Sequence, residues 1–98
     1  MKLVKLHPLA GSEVVESAAF YEARRPFLGE DFLDRIEETF AKIRNLPEMG
    51  NPGKVGTRSW KVRRFPYRIF YRVYADRIWI VAVAHLSRKP DYWLHRLD

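Results

Sequence analysis

The chain has no cysteine, which excludes a disulfide framework and any thiolate metal site and suits a reducing compartment. It has no long apolar run either. The longest uncharged apolar stretch covers residues 78–84, far short of the roughly 20 residues that a membrane-crossing helix needs. Lys2 and Lys5 interrupt the first residues, so these lack the apolar core of a signal peptide. In the second half the scarce commodity is negative charge. No glutamate follows Glu48, and the only aspartates there are Asp76, Asp91 and Asp98.

Positive charge stands in its place. Residues 54–98 hold 11 Lys and Arg against 3 Asp, a net of +8, whereas residues 1–53 hold 7 against 9, a net of −2. The excess therefore belongs to one region, the same one in which aromatic and β-branched residues are densest. A basic, aromatic-studded sheet suits a polyanion or a strongly acidic protein partner. A chain of 98 residues with 47% hydrophobic and 31% charged content is expected to form one soluble, cytoplasmic domain over 1–98, large enough to bury a core.

Hydrophobic periodicity orders the elements. Leu3, Val4 and Leu6 read as a short strand ended by His7-Pro8. Over 9–25 the apolar Val14, Val15, Ala18 and Tyr21 fall on one helical face, with Ser12 as a candidate N-cap and Pro26 as the stop. A second helix begins near Gly29, with Phe32, Leu33, Ile36, Phe40 and Ile43 as its stripe. Glu30, Asp31 and Asp34 crowd its start and Lys42 and Arg44 its end, the order that the helix dipole favours. Gly50-Asn-Pro-Gly-Lys54 reads as a loop.

Strands follow. Trp60, Val62 and Arg64 alternate with Lys61 and Arg63. Beyond Phe65-Pro66, Tyr67, Ile69, Tyr71 and Val73 alternate with Arg68, Phe70, Arg72 and Tyr74. Ala75-Asp76-Arg77 makes a hairpin turn, and 78–84 reads as a central strand covered on both faces. Residues 90–96 predict a short C-terminal helix. The expected fold class is α+β, β-α-α-β-β-β, with two N-terminal helices packed on a mainly antiparallel twisted sheet.

Alternation groups Lys61 with Arg63, and Arg68 with Arg72. If the two rows share a face, four cations line it with Phe70 and Tyr74 among them. That face is either a groove for phosphate or an acidic partner, or a solvated outer surface. His85 ends the central strand, and imidazole titrates near neutral pH, so it is a candidate proton carrier. A hydrogen-bonded structural histidine is the alternative. His7 and His95 are weaker candidates. With no carboxylate inside the basic surface, proton abstraction falls to His85 or to Lys61, crowded by Arg63 and Arg68. Arg88, Tyr92 and Trp93 follow His85. Trp93 is either a stacking platform for a base or a terminal aromatic folded onto the core. No His, Asp and Glu cluster has metal-ligand spacing, so neither metal nor cofactor is expected.

The ordered set of His7-Pro8 with Ala10 and Glu13, Phe20-Tyr21, Phe32, Arg64-Phe-Pro-Tyr-Arg-Ile-Phe-Tyr71, Val81-Ala-Val-Ala-His85, and Arg88-x-Pro-x-x-Trp93 with Arg96 resembles the RelE/ParE superfamily of toxin–antitoxin toxins, also labelled plasmid stabilisation proteins. The resemblance spans nearly the whole chain. It implies a growth-inhibiting toxin of a type II system, held inactive by a cognate antitoxin whose C-terminal segment wraps the helices and the basic sheet.

Two targets divide the superfamily. RelE-like members are metal-independent endoribonucleases that cut mRNA on the ribosome. By position, Lys61, Arg63 and Arg68 match that site, with His85 as proton carrier and Trp93 where many nucleases place a terminal Tyr. This chain departs from the nuclease pattern in Trp93 itself, in a missing glutamate base, and in Ser87 where an arginine is expected, with Arg88 one place along. ParE-like members poison DNA gyrase and need no nuclease centre; the ending His85-x-x-Arg88-x-Pro90-x-x-Trp93 is closer to theirs. Partner contacts fall to Arg64, Arg72, Arg88, Tyr92 and Trp93. A nucleic-acid-binding module without toxicity is a third reading. A dimer and a toxin–antitoxin hetero-oligomer both remain open, and no membrane partner is expected.

Overall fold

The computed structural model describes residues 2–97. The order is β1 (Leu3–Leu6), α1 (Pro8–Arg24), α2 (Leu28–Asn45), β2 (Asn51–Pro52), β3 (Thr57–Lys61), β4 (Tyr67–Val73) and β5 (Arg77–His85), with 3-10 turns at Pro47–Met49, Lys54–Gly56 and Leu94–Arg96. The five strands form one sheet in the order β1-β5-β4-β3-β2. β1 runs parallel to β5 and every other pairing is antiparallel, which is the α+β architecture expected.

Local chemistry sets the helix ends. Pro8 occupies the first turn of α1, where its missing N–H costs nothing, and the His7 Nδ1 accepts from the Leu9 amide at 3.0 Å. Ser12 is thus not the cap; it lies within the helix and donates to the Pro8 carbonyl. α2 has no capping side chain of its own. Glu22 of α1 supplies the acceptor instead, taking the amides of Phe27 and Gly29 at 3.0 Å each. A Cβ on Gly29 would stand 2.5 Å from the Ala18 carbonyl, so the two helices touch backbone to backbone there. Phe27 adopts φ 70°, a left-handed conformation that costs a non-glycine residue about 1–2 kcal/mol.

Burial of Phe32, Ile36 and Ile43 from α2 and of Ala10 from α1 against Tyr67, Ile69, Tyr71, Ile78, Ile80 and Val83 makes the main core. The sheet's other face carries a second cluster. Val81, Ala82 and Trp93 are buried there, with Phe70, Trp79, Tyr92, Leu94 and Leu97 packed around them. The predicted C-terminal helix is thus a run of turns ending in a 3-10 turn, folded across the sheet.

Three details differ from the periodicity. β2 lies in the stretch read as a loop; two residues are enough to pair with Ser59 and Arg58 but too few to leave a pattern. β3 begins at Thr57 rather than Trp60 and ends at Lys61, because Arg64 turns the chain with φ 74° and so leaves the alternation. Third, Phe70 pairs with Ala82 but Tyr71 pairs with Ile80, so Val81 is a β-bulge. A bulge exchanges which residues face which side. Ile78 and Ile80 point to the helices before it, and Val83 and His85 after it.

The bulge leaves backbone groups beyond the end of β1, and the chain termini supply their partners. Glu13 of α1 accepts from the Val83 amide at 2.9 Å. Arg96 donates to the Val81 carbonyl at 3.1 Å and forms a forked pair with Glu13 at 2.9 and 3.1 Å. Tyr92 donates its hydroxyl to the same carboxylate at 2.6 Å. Burial, and then that hydrogen bond, push the Tyr92 phenol well above its ordinary range. The Glu13 and Arg96 side chains are only 13% and 6% exposed, so removing one partner strands the other in a poorly solvated place. Glu13→Ala is expected to lower unfolding free energy by about 3–5 kcal/mol, read by urea titration; a loss below about 1 kcal/mol contradicts this role.

Candidate functional site

Cross-strand register decides which cations meet. Lys61 lies opposite Arg68, Ser59 opposite Phe70 and Thr57 opposite Arg72, so Lys61, Arg68 and Arg72 share the face turned away from the helices. The Arg68 Nε donates to the Ser59 hydroxyl at 3.1 Å, which orients the guanidinium. A hollow of about 420 Å³ is lined by Met49, Gly50, Asn51, Ser59, Trp60, Lys61 and Arg68. Arg72 lies 5.6 Å from the Tyr74 ring. Among the described residues no carboxylate lies within ion-pairing distance of Lys61, Arg64, Arg68, Arg72, Arg88 or Lys89. By contrast, Arg35, Arg63 and Lys42 pair with Glu38, Arg58 with Glu48, and Lys54 with Asp91. Three of the four cations expected to line one face therefore do so, and they do so without counter-ions.

Arg63 is the exception. Expected beside Lys61, it lies past the end of β3 and reaches to α2, where its Nε and Nη2 donate to the Glu38 carboxylate at 2.9 and 2.8 Å. The Lys61 ammonium also turns back on its own loop, donating to the carbonyls of Val62 at 2.6 Å and Phe65 at 2.8 Å. Its protons are committed to shaping the 62–65 turn.

His85 lies apart from the cationic face. It pairs with Tyr67 across the ladder, and the two rings meet edge to face at 5.1 Å. Its Nδ1 accepts from the Ser87 amide at 3.0 Å and lies 2.8 Å from the Ser87 hydroxyl. Ala84 is the β5 residue opposite Arg68. The bulge at Val81 turns the imidazole to the helix side, a change that no alternation rule reveals.

The remaining candidates form the C-terminal wall. Trp93 is 3% exposed and stacks on Phe70 at 4.7 Å, so it is a core residue and offers no platform to a base. Tyr92 is held by Glu13 on one side, while Arg88 stacks over its ring at 3.8 Å. Arg88 and Lys89 rim a pocket of about 150 Å³ that Phe70, Ala84, His85, Tyr92 and Trp93 also line, so His85 meets the C-terminal wall although its ring packs on Tyr67. His7 caps α1, and the His95 Nδ1 lies 3.0 Å from the Tyr92 carbonyl. Among the described residues no three His, Asp or Glu side chains gather to hold a metal ion, and no helix is long and apolar enough to cross a membrane. Sequence reasoning missed Ser59, which orients Arg68, and Glu38, which captures Arg63. Neither carries a motif; both depend on strand register and on the packing of α2.

A helical hairpin backing a five-stranded mixed sheet, with the chain end folded over the far face and unpaired cations beside it, defines a toxin of the RelE/ParE superfamily. Residues 4–90 match the family model described as ParE toxin of type II toxin-antitoxin system, parDE, and the chain belongs to that family. A solved structure titled "Chromosomal ParDE TA system from P. aeruginosa" superposes with a TM-score of 0.73 at 20% identity, covering 89% of this chain and 98% of that one, which is a shared fold. No curated protein matches the chain.

Hydrogen bonds from Arg63, with the nearby charges of Arg35 and Lys42, lower the Glu38 carboxyl from 4.5 to about 2. A folded value below the unfolded one contributes stability above the unfolded value and loses it as pH falls through the folded one. Glu38→Gln is therefore expected to melt below the parent at neutral pH. The gap should close between about pH 4.5 and 2, as read by thermal unfolding across pH; a gap independent of pH contradicts the assignment.

Proposed function

We propose that this chain is a growth-arresting toxin that poisons DNA gyrase through protein contacts, without a nuclease centre, and is silenced by a cognate antitoxin. One observation carries the reading. The candidate proton carrier and the candidate phosphate ligands stand on opposite faces of the sheet, His85 with Tyr67 and Lys61 with Arg68. General acid–base cleavage of RNA needs the proton carrier within hydrogen-bond reach of the reacting oxygens, while cations hold the phosphate between them. Strand alternation places these groups on different sides of the ladder here. Family membership and the toxin–antitoxin title of the solved relative support the toxin and antitoxin parts of the reading.

Two surfaces suit the antitoxin. The outer face of the helical hairpin carries a groove lined by Val14, Leu33, Ile36 and Phe40, which continues past Leu33 to Ala18, Ala19 and Gly29. An amphipathic helix lays its apolar side into such a groove. An acidic continuation would neutralise Lys61, Arg68 and Arg72.

Expression of the chain alone in a bacterium is expected to stop growth, and purified chain to trap gyrase as cleaved complexes on plasmid DNA. His85→Ala should arrest growth as the parent does. Loss of arrest in a folded His85→Ala protein, together with mRNA cleavage by the parent, would sink the proposal in favour of a ribonuclease.

A further inference from the structure

The turn between the helices and the turn after β3 meet at a pocket that neither the cationic face nor the helical groove includes. Arg25, Leu28, Asp31, Arg35, Arg64 and Phe65 line it, around about 230 Å³. Three guanidinium groups share this space with one carboxylate. Asp31 reaches only Arg25, at 4.0 Å. Arg35 gives one nitrogen to Glu38, and no carboxylate among the described residues pairs with Arg64. Guanidinium groups fork onto carboxylates in a fixed planar geometry, so the pocket is short of one acidic guest.

A second observation points to the same place. Of the four non-glycine residues with positive φ among the described residues, two border this pocket: Arg64 at 74°, which lines it, and Phe27 at 70°, between Arg25 and Leu28. Phe27 leaves 70% of its surface exposed. For a bulky residue this backbone region is a true outlier, and an aromatic ring held out to water gains nothing from packing. The strain is imposed from outside. Glu22 holds the Phe27 amide, and the Lys61 ammonium bridges the carbonyls on either side of Arg64. On α1, the helix that leads to this turn, Phe20 is 52% exposed with Arg24 stacked over its ring at 4.7 Å. Exposed aromatics beside arginines are the composition of an interface anchor.

We propose that this hairpin tip is the surface that engages the toxin's protein target: Phe27 inserts into an apolar recess of the target, and an Asp or Glu of an acidic target segment enters the pocket between Arg25, Arg35 and Arg64. The inference rests on the reading of the chain as a toxin that acts through protein contacts. It assigns to the target a surface distinct from the groove proposed above for the antitoxin.

The conformation supplies a test that misfolding cannot imitate. Glycine adopts positive φ without strain, so Arg64→Gly and Phe27→Gly relieve the backbone while deleting the contact groups. Both full-length variants are expected to melt no lower than the parent. They should bind purified gyrase roughly tenfold or more weakly, as removal of an interface anchor does, and fail to arrest growth. Variants that bind gyrase and arrest growth like the parent overturn the inference and leave the gyrase reading intact. A parent that arrests growth without binding gyrase removes that target; the pocket then stands if the variants lose arrest and falls if they keep it. Variants that still arrest growth but escape a co-expressed antitoxin assign the pocket to the antitoxin and overturn the proposal. A parent that neither binds gyrase nor arrests growth overturns both.

Discussion

Glu13 carries one carboxylate to the place where β5 outruns β1, and the Val83 amide, the Tyr92 hydroxyl and the Arg96 fork are its hydrogen-bond partners there. Removing this group touches every layer. The bulge at Val81 would lose acceptors and donors for its backbone, α1 its link to the sheet, and the C-terminal turn its anchor. A buried ion pair contributes little relative to an apolar replacement, but it penalises every arrangement in which its halves part. Its effect here is specificity of register: β5 is held with one extra residue, and the chain end is held over the far face.

Two functional consequences descend from that register. The extra residue turns His85 toward Tyr67 and the helices, away from Lys61 and Arg68. The anchored chain end buries Trp93 on Phe70 and converts the middle of the far face into a second core. What stays accessible is a rim of cations without counter-ions, an apolar groove on the helical hairpin, and a strained, arginine-lined tip. These are surfaces for partners. On such a surface, charge complementarity sets how quickly an acidic partner is found.

The sequence was legible where burial follows a simple period. The stripe of Phe32, Ile36 and Ile43, the alternation of Tyr67, Ile69 and Tyr71, and the two-sided burial of β5 were all visible, because each reports an average over several residues facing one environment. The candidate site was legible in composition and only partly in geometry. Lys61, Arg68 and Arg72 share a face because strand alternation put them there. Arg63 does not, since Arg64 adopts positive φ and Glu38 stands within reach across the gap to α2. His85 does end the central strand as read, but which side its ring takes was not legible. An uninterrupted apolar run such as 78–84 has no polar residue to betray a change of side. The clasp joins Glu13 to Arg96 over a separation that periodicity does not see, although both belong to the ordered set of residues by which the superfamily was recognised.

The central claim is that the clasped bulge sends the imidazole to the helix side. Nuclear Overhauser contacts of the His85 ring in the full-length protein test it most directly. The account predicts cross-peaks between His85 and the Tyr67 ring, whose centroid lies 5.1 Å away, and none to the Arg68 or Lys61 side chains. Contacts from His85 to Arg68, with none to Tyr67, would contradict it.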